Sequence, residues 1–227
     1  IDFIQILGNV LDLGVPSDST VSLAKLTATG TKDATTFLRG DNSFQEVPAS
    51  NPQYTSRQVF TSSGTWTKPT DITKIKVIVQ ASGGGGGSQG VGGGAGGTSI
   101  KWIDVSSISS ETVTVGIAGT GSGGTGSGGN GNTSSFGSHC SATGGQGGTG
   151  GTATDESPAT GGDGVGGDIN LKGAAGGVYR GSYGGTSYFG GHTSASQPAN
   201  GAGGKGGQSG ISSNAGGEGI VYIEEYK

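Results

Sequence analysis

The stretch Gly144-Gly145-Gln146-Gly147-Gly148-Thr149-Gly150-Gly151-Thr152 reads as three consecutive Gly-Gly-X units, and Gly203-Gly204-Lys205-Gly206-Gly207-Gln208 repeats the pattern twice more. Shorter pieces, Gly161-Gly162-Asp163 and Gly166-Gly167-Asp168, keep the same grammar. A period of three is that of the polyproline II helix, which makes no internal hydrogen bonds and turns every N–H and C=O outward. Ordering a residue costs roughly 1 to 2 kcal/mol, and glycine has no side chain whose burial could offset this. Order therefore requires neighbours. Such helices can satisfy one another's peptide groups, and close approach is open only where glycine faces glycine. The spacing predicts a bundle of packed glycine-rich polyproline II helices; the other reading is a solvated low-complexity loop.

Outward from this stretch, the distribution of glycine divides the chain. Of 227 residues 54 are glycine, yet only five of them precede residue 83. The segments 82–97 and 119–217 form the glycine-rich insertions. Around them run alternating apolar patterns over about 57–81, 98–118 and 219–226, which predict about five strands of a small half-buried β-sandwich. Its expected core is Trp66, Ile75, Val77, Val79, Ile103, Val113, Val115, Ile117, Val221 and Ile223. Closing a 100-residue insertion between strands costs only about 4 kcal/mol. The fold class is thus all-β. Residues 1–50 carry short apolar pairs such as Ile6-Leu7 and Val10-Leu11 with no lasting helical period, and they read as a fibrous shaft or neck stable by trimerisation; 51–227 form the glycine-rich β domain.

Composition excludes several classes. Only 29% of residues are hydrophobic, too few for a large core-driven enzyme, and six prolines exclude collagen. The net charge of -4, with no basic cluster, argues against nucleic acid. The lone Cys140 makes no internal disulfide, and no apolar run is long enough to span a membrane as a helix. Ile1 carries no signal-peptide pattern after it, and the chain is expected to begin inside a longer polypeptide.

Three stretches carry a resemblance. Thr35-Thr36-Phe37-Leu38-Arg39-Gly40-Asp41-Asn42-Ser43-Phe44 is similar to an element of bacteriophage tail-fibre shafts. Phe60-Thr61-Ser62-Ser63-Gly64-Thr65-Trp66-Thr67-Lys68-Pro69, with Ile75 to Val79 and then Gly83 to Gly87, resembles the opening of the glycine-rich domain of phage tail proteins; Gly217 to Tyr226 resembles its end. The resemblance implies a homotrimeric fibre on the virion whose distal domain contacts a host surface glycan or outer-membrane protein, with other tail proteins bound through the upstream chain. It also implies packed polyglycine helices with exposed tips. The Gly-Gly motifs are shorter and less regular here than in such adhesins, which leaves the number of helices open.

A glycine bundle has a featureless surface, so recognition is expected where the glycine stops: at 133–143, 152–160, 168–172, 178–189 and 192–200. The richest interruption contains Tyr179, Arg180, Tyr183, Tyr188 and Phe189, with His192 just beyond, a mix that binding loops favour. Phe189 and Tyr188 can equally plug a satellite core. Phe37, Leu38 and Phe44 are the candidates for packing at a trimer axis, and Arg39-Gly40-Asp41 reads as the turn before Phe44. His139 and Cys140 are adjacent and face apart on a strand, so no metal site is expected. Neither Asp155-Glu156 nor Glu224-Glu225 makes a glycosidase pair in sequence, and no nucleophile elbow or phosphate loop has its required helix. No catalysis and no cofactor are expected. An ice-binding bundle would need flat rows of Thr, which irregular interruptions do not provide.

Overall fold

The computed structural model describes residues 27–46, 53–151, 157–179, 181–191, 199–207 and 212–227; the apolar pairs between Ile4 and Leu13 lie outside them. The chain divides into two compact units, Ile1–Asn51 and Pro52–Lys227. In the first, β1 (Thr36–Leu38) and β2 (Phe44–Glu46) form an antiparallel hairpin with Leu38 opposite Phe44. Its turn is the Arg39-Gly40-Asp41 segment. Asp41 Oδ1 accepts from the Ser43 N–H and hydroxyl, Arg39 pairs with Asp41 at 3.6 Å, and Asn42 takes φ 63°, a left-handed turn conformation that Asn tolerates. Phe37 and Leu38 are exposed on this unit and Phe44 is half-buried.

The second unit joins a β-sandwich to a glycine lattice. One antiparallel sheet has the order β11 (Ile169–Leu171), β6 (Thr98–Asp104), β5 (Lys74–Gln80), β12 (Ile220–Tyr226), β3 (Tyr54–Phe60). The other runs β10 (Gly164–Val165), β9 (Cys140–Ala142), β8 (Ser134–Phe136), β7 (Ser110–Thr114), β4 (Gly64–Thr67). Period-2 alternation sends Ile75, Val77, Val79, Ile103, Val221 and Ile223 inward against Trp66, Val113, Val115 and Phe136, with the Trp66 and Phe136 rings edge-on at 5.7 Å. The buried Glu225 accepts from Ser56 and Gln58 on β3 and from Trp66 Nε1 (2.8 Å) on β4, so one carboxylate ties the two sheets together.

Ten strands build this sandwich, twice the number the alternation predicts. Among the additional ones, β8, β9 and β11 come from segments read as recognition interruptions (133–143 and 168–172), and β10 lies between the short Gly161-Gly162-Asp163 and Gly166-Gly167-Asp168 pieces. They are too short for periodicity to reveal them. Ile117 is a second correction: it is 66% exposed rather than in the core. Strand β7 ends at Thr114, and past it the chain adopts a three-residue period that carries Ile117 to the outside.

That period organises everything else. Ten segments, here PG1 to PG10, cover 82–88, 91–97, 116–122, 126–132, 143–150, 159–163, 173–177, 182–187, 201–207 and 213–219. In PG1 the N–H of Gly83 and Gly86 donates to PG10, that of Gly84 and Gly87 to PG2, and that of Gly85 and Ser88 to PG4. Its carbonyls accept in the same rhythm from PG3, PG9 and PG5. PG2 is likewise surrounded by six neighbours, PG1, PG5, PG6, PG7, PG8 and PG9. The pairing closes into three layers: PG4-PG5-PG6, then PG3-PG1-PG2-PG7, then PG10-PG9-PG8. This is the polyproline II-type bundle expected from the Gly-Gly-X units.

The two central helices are Gly83 to Gly87 and, apart from Ala95, Gly92 to Gly97, all buried. A Cβ on Gly85 would lie 2.0 Å from the Thr120 carbonyl oxygen, and on Gly93 2.1 Å from that of Gly84. The hydrogen that takes the Cβ position is thus aimed at a carbonyl, adding weak Cα–H···O hydrogen bonds of about 0.5 to 1 kcal/mol each. In PG5 on the periphery, by contrast, Thr143, Gln146 and Thr149 are exposed while the glycines between them face the lattice.

Gly85→Ala should therefore lower the thermal midpoint by about 10 °C or more, or prevent folding, as expected for a loss beyond about 4 kcal/mol. Gly123→Ala, where an added Cβ meets only the Ser212 hydroxyl at 3.9 Å, should stay within about 2 °C. Differential scanning calorimetry on the pair checks this.

Candidate functional site

Each odd-numbered helix leaves the sandwich and the following even-numbered one returns to it, so the ends of five helix pairs gather at the far end of the lattice. Described there in full are the connections 88–91 and 122–126; of the other three, the described residues are 150–151 with 157–159, 177–179 with 181–182, and 207 with 212–213. Several are anchored on the first of them. Ser88 Oγ donates to the Gly124 carbonyl (2.7 Å), Gly151 N to that of Ser88 (3.2 Å), and Gly181 N to that of Gly90 (3.3 Å). Gln89 (φ 50°) and Gly124 (φ 67°) make the reversals, the second in the conformation glycine adopts without strain. The tips are thus loops displayed by a rigid support.

Within the PG7–PG8 turn, Tyr179 is 79% exposed. Tyr183 opens PG8 on the outer PG10-PG9-PG8 layer, and Lys205 Nζ of PG9 lies 5.8 Å from its ring centre, within cation–π range. Tyr188 and Phe189 lie at the other end of that helix, beside the sandwich. The Tyr188 N–H donates to Gln80 Oε1 (3.3 Å), and the two rings meet edge-on at 5.1 Å. Both are exposed, so they plug no satellite core. Five residues at about 3.1 Å each put roughly 16 Å between Tyr183 and Tyr188. The candidate tyrosines therefore form two separate places. Arg180 and His192 lie outside the described residues.

The seam between sandwich and lattice has its own polar centre. Buried Gln80 donates through Nε2 to the carbonyls of Ala81, Gly96 and Gly97 at 3.0 Å each and accepts from Thr98 Oγ1 at 2.7 Å. It terminates PG2 where the backbone changes from period three to strand. Sequence reading missed it because a lone Gln at a strand end carries no signal.

A model of the glycine-rich domain family matches residues 58–226. The chain belongs to that family. The match runs from within β3 through β12 and takes in all ten helices, so it covers the second unit apart from residues 52–57 and Lys227. No curated protein matches the chain.

Chemistry at other places in the glycine-rich domain is sparse. Glu224 and Glu225 face opposite sides of β12, the first paired with Lys76 at 3.2 Å and the second buried against Trp66. His139 bonds Glu111 at 3.1 Å in the β8–β9 turn, and no group of metal-ligating side chains assembles among the described residues. Cys140 is buried, and burial raises its thiol pKa from about 9 to about 11.

Between those values the unfolded chain releases the thiol proton while the folded chain keeps it, so stability falls as pH climbs from about 9 toward 11. The native thiol should resist iodoacetamide at pH 8 and react on denaturation. The midpoint difference between wild type and Cys140→Ser, followed by thermal unfolding from pH 8 to 10.5, should drift against the wild type.

Proposed function

We propose that this chain is the distal part of a bacteriophage tail fibre, carried on the virion and exposed to the medium, that adheres to a host surface receptor through the turns at the far end of its glycine lattice. The receptor is a surface glycan or an outer-membrane protein. One observation carries this reading: the ends of five helix pairs converge at one end of a support held by backbone hydrogen bonds, and the most exposed aromatic residue among those described, Tyr179, stands there. Tyrosine offers a large amphipathic surface with few rotors to freeze, suited to a sugar face or a protein loop.

The resemblance of Thr35 to Phe44 to tail-fibre shafts supports a homotrimer, with Phe37, Leu38 and Phe44 as its packing residues and other tail proteins bound through the upstream chain. The reading is non-enzymatic, with neither metal nor cofactor. In this scheme Tyr179 and Tyr183 make contact, with Arg180 between them in sequence; Tyr188 and Phe189 form a second, lateral group, with His192 following them in sequence.

Adsorption of particles, or of the purified fibre, to host cells should drop about tenfold or more in a Tyr179→Ser, Tyr183→Ser double variant, the loss expected for about 1.4 kcal/mol of contact. Tyr188→Ser, roughly 16 Å from Tyr183, should adsorb like wild type. Undiminished adsorption by the double variant would leave the domain as a structural spacer. Sedimentation equilibrium should return three chain masses.

A further inference from the structure

We propose that the flat PG4-PG5-PG6 face of the lattice is a binding surface for a neutral oligosaccharide. The inference is independent of any binding by the turns at the far end.

The hydrogen-bond register sets this face out as a grid. Gly131 N donates to the Gly145 carbonyl and Gly128 N to that of Gly148, while Gln146 N donates to that of Thr160 and Thr143 N to that of Asp163. The outward residues consequently line up in transverse rows. Thr133, Thr143 and Asp163 form one; Asn130, Gln146 and Thr160 form the next. Successive rows lie three residues apart, about 9.3 Å along the helices. The rows mix Thr with Asn, Gln and Asp. A trough of about 510 Å³ runs over these six side chains, floored by Gly131, Gly144, Gly145, Gly161 and Gly162.

The polar atoms divide into those held inward and those left over. Asn130 Oδ1 accepts from Gly147 N (2.8 Å), Gln146 Oε1 from the N–H and hydroxyl of Thr160 (3.1 Å each), and Thr143 Oγ1 from Asp163 N (2.8 Å). These bonds satisfy amides that no further helix covers, and they hold each side chain in place. Left without a protein partner among the described residues are both NH2 groups, the Thr133 hydroxyl and Asp163 Oδ2. Donors and acceptors therefore alternate over a shallow surface whose geometry is set before binding, which lowers the entropic cost of recognition.

The chemistry of the ligand follows. Asp163 Oδ1 is already paired with Lys172 at 2.8 Å, so the face carries little net charge to select an ion. It has no aromatic or aliphatic anchor of the kind a protein partner would bury. A chain of uncharged hydroxyls matches what remains.

The test uses the whole chain, labelled with nitrogen-15 and titrated with maltohexaose, cellohexaose, chitohexaose, mannohexaose and, as the charged comparison, hexagalacturonate. At least one neutral hexasaccharide should shift the side-chain amide signals of both Asn130 and Gln146 saturably at low-millimolar concentration. Thr133→Trp, which fills the trough and removes no hydrogen bond, should weaken that binding about tenfold or more with the rest of the spectrum unchanged. The Tyr179→Ser, Tyr183→Ser variant should bind as wild type. Silence of both amides toward every neutral sugar, response to hexagalacturonate alone, undiminished binding by folded Thr133→Trp, or dependence on Tyr179 and Tyr183 would each overturn the proposal.

Discussion

A peptide group that points away from its own helix must find its partner in another chain segment, and here it does so at a distance that excludes a β-carbon. The rest of the second unit depends on that constraint. Three donors per turn point in three directions, so a fully satisfied helix needs six neighbours, and PG1 and PG2 have them. Two adjacent helices with six neighbours each, sharing two, define a ten-member array. The lattice therefore holds together without a hydrophobic core, by peptide hydrogen bonds and the weaker Cα–H···O bonds beside them, while the apolar residues are spent in the sandwich.

Neither half is built by a continuous piece of chain. Helices alternate with strands, and the sandwich gains β8 to β11 only because the chain returns to it between pairs of helices. Gln80 shows how the change of period is managed. Its side chain donates to the last carbonyls of PG2, those of Gly96 and Gly97, the second also bonded by the Ala81 N–H, and Gly201, at φ 73°, leaves the space it occupies: a Cβ there would fall 2.4 Å from Gln80 Nε2. Rigidity at both ends suits a support that projects short turns. A flexible glycine loop would have to order its turns on each encounter, at a cost this lattice has already met in folding.

Much of this was legible in the chain itself. Alternation placed Ile75, Val77, Val79, Val113, Val221 and Ile223 in the core, and the Gly-Gly-X rhythm announced helices of three residues per turn. The distinction between centre and edge is also written there, since unbroken glycine at Gly83 to Gly87 lies inside and one residue in three at Thr143, Gln146 and Thr149 lies outside. What could not be read was short or depended on partners. Strands of two or three residues such as Gly164–Val165 have no measurable period. Ile117 obeyed a strand pattern up to the point where the backbone changed its repeat. Tyr179 and Tyr188 are neighbours in composition yet stand at opposite ends of one helix, because PG8 runs between them.

The sequence by itself determined the two kinds of local structure and their boundary, because side-chain alternation and the absence of a side chain are properties of consecutive residues. Only the tertiary structure decided which helix lies beside which, and with it the flat face, the gathered turns and the partition of the aromatic residues. Glycine carries no side chain to specify a neighbour, so the choice falls to hydrogen-bond register and to the strands that return the chain, which are relations between distant segments.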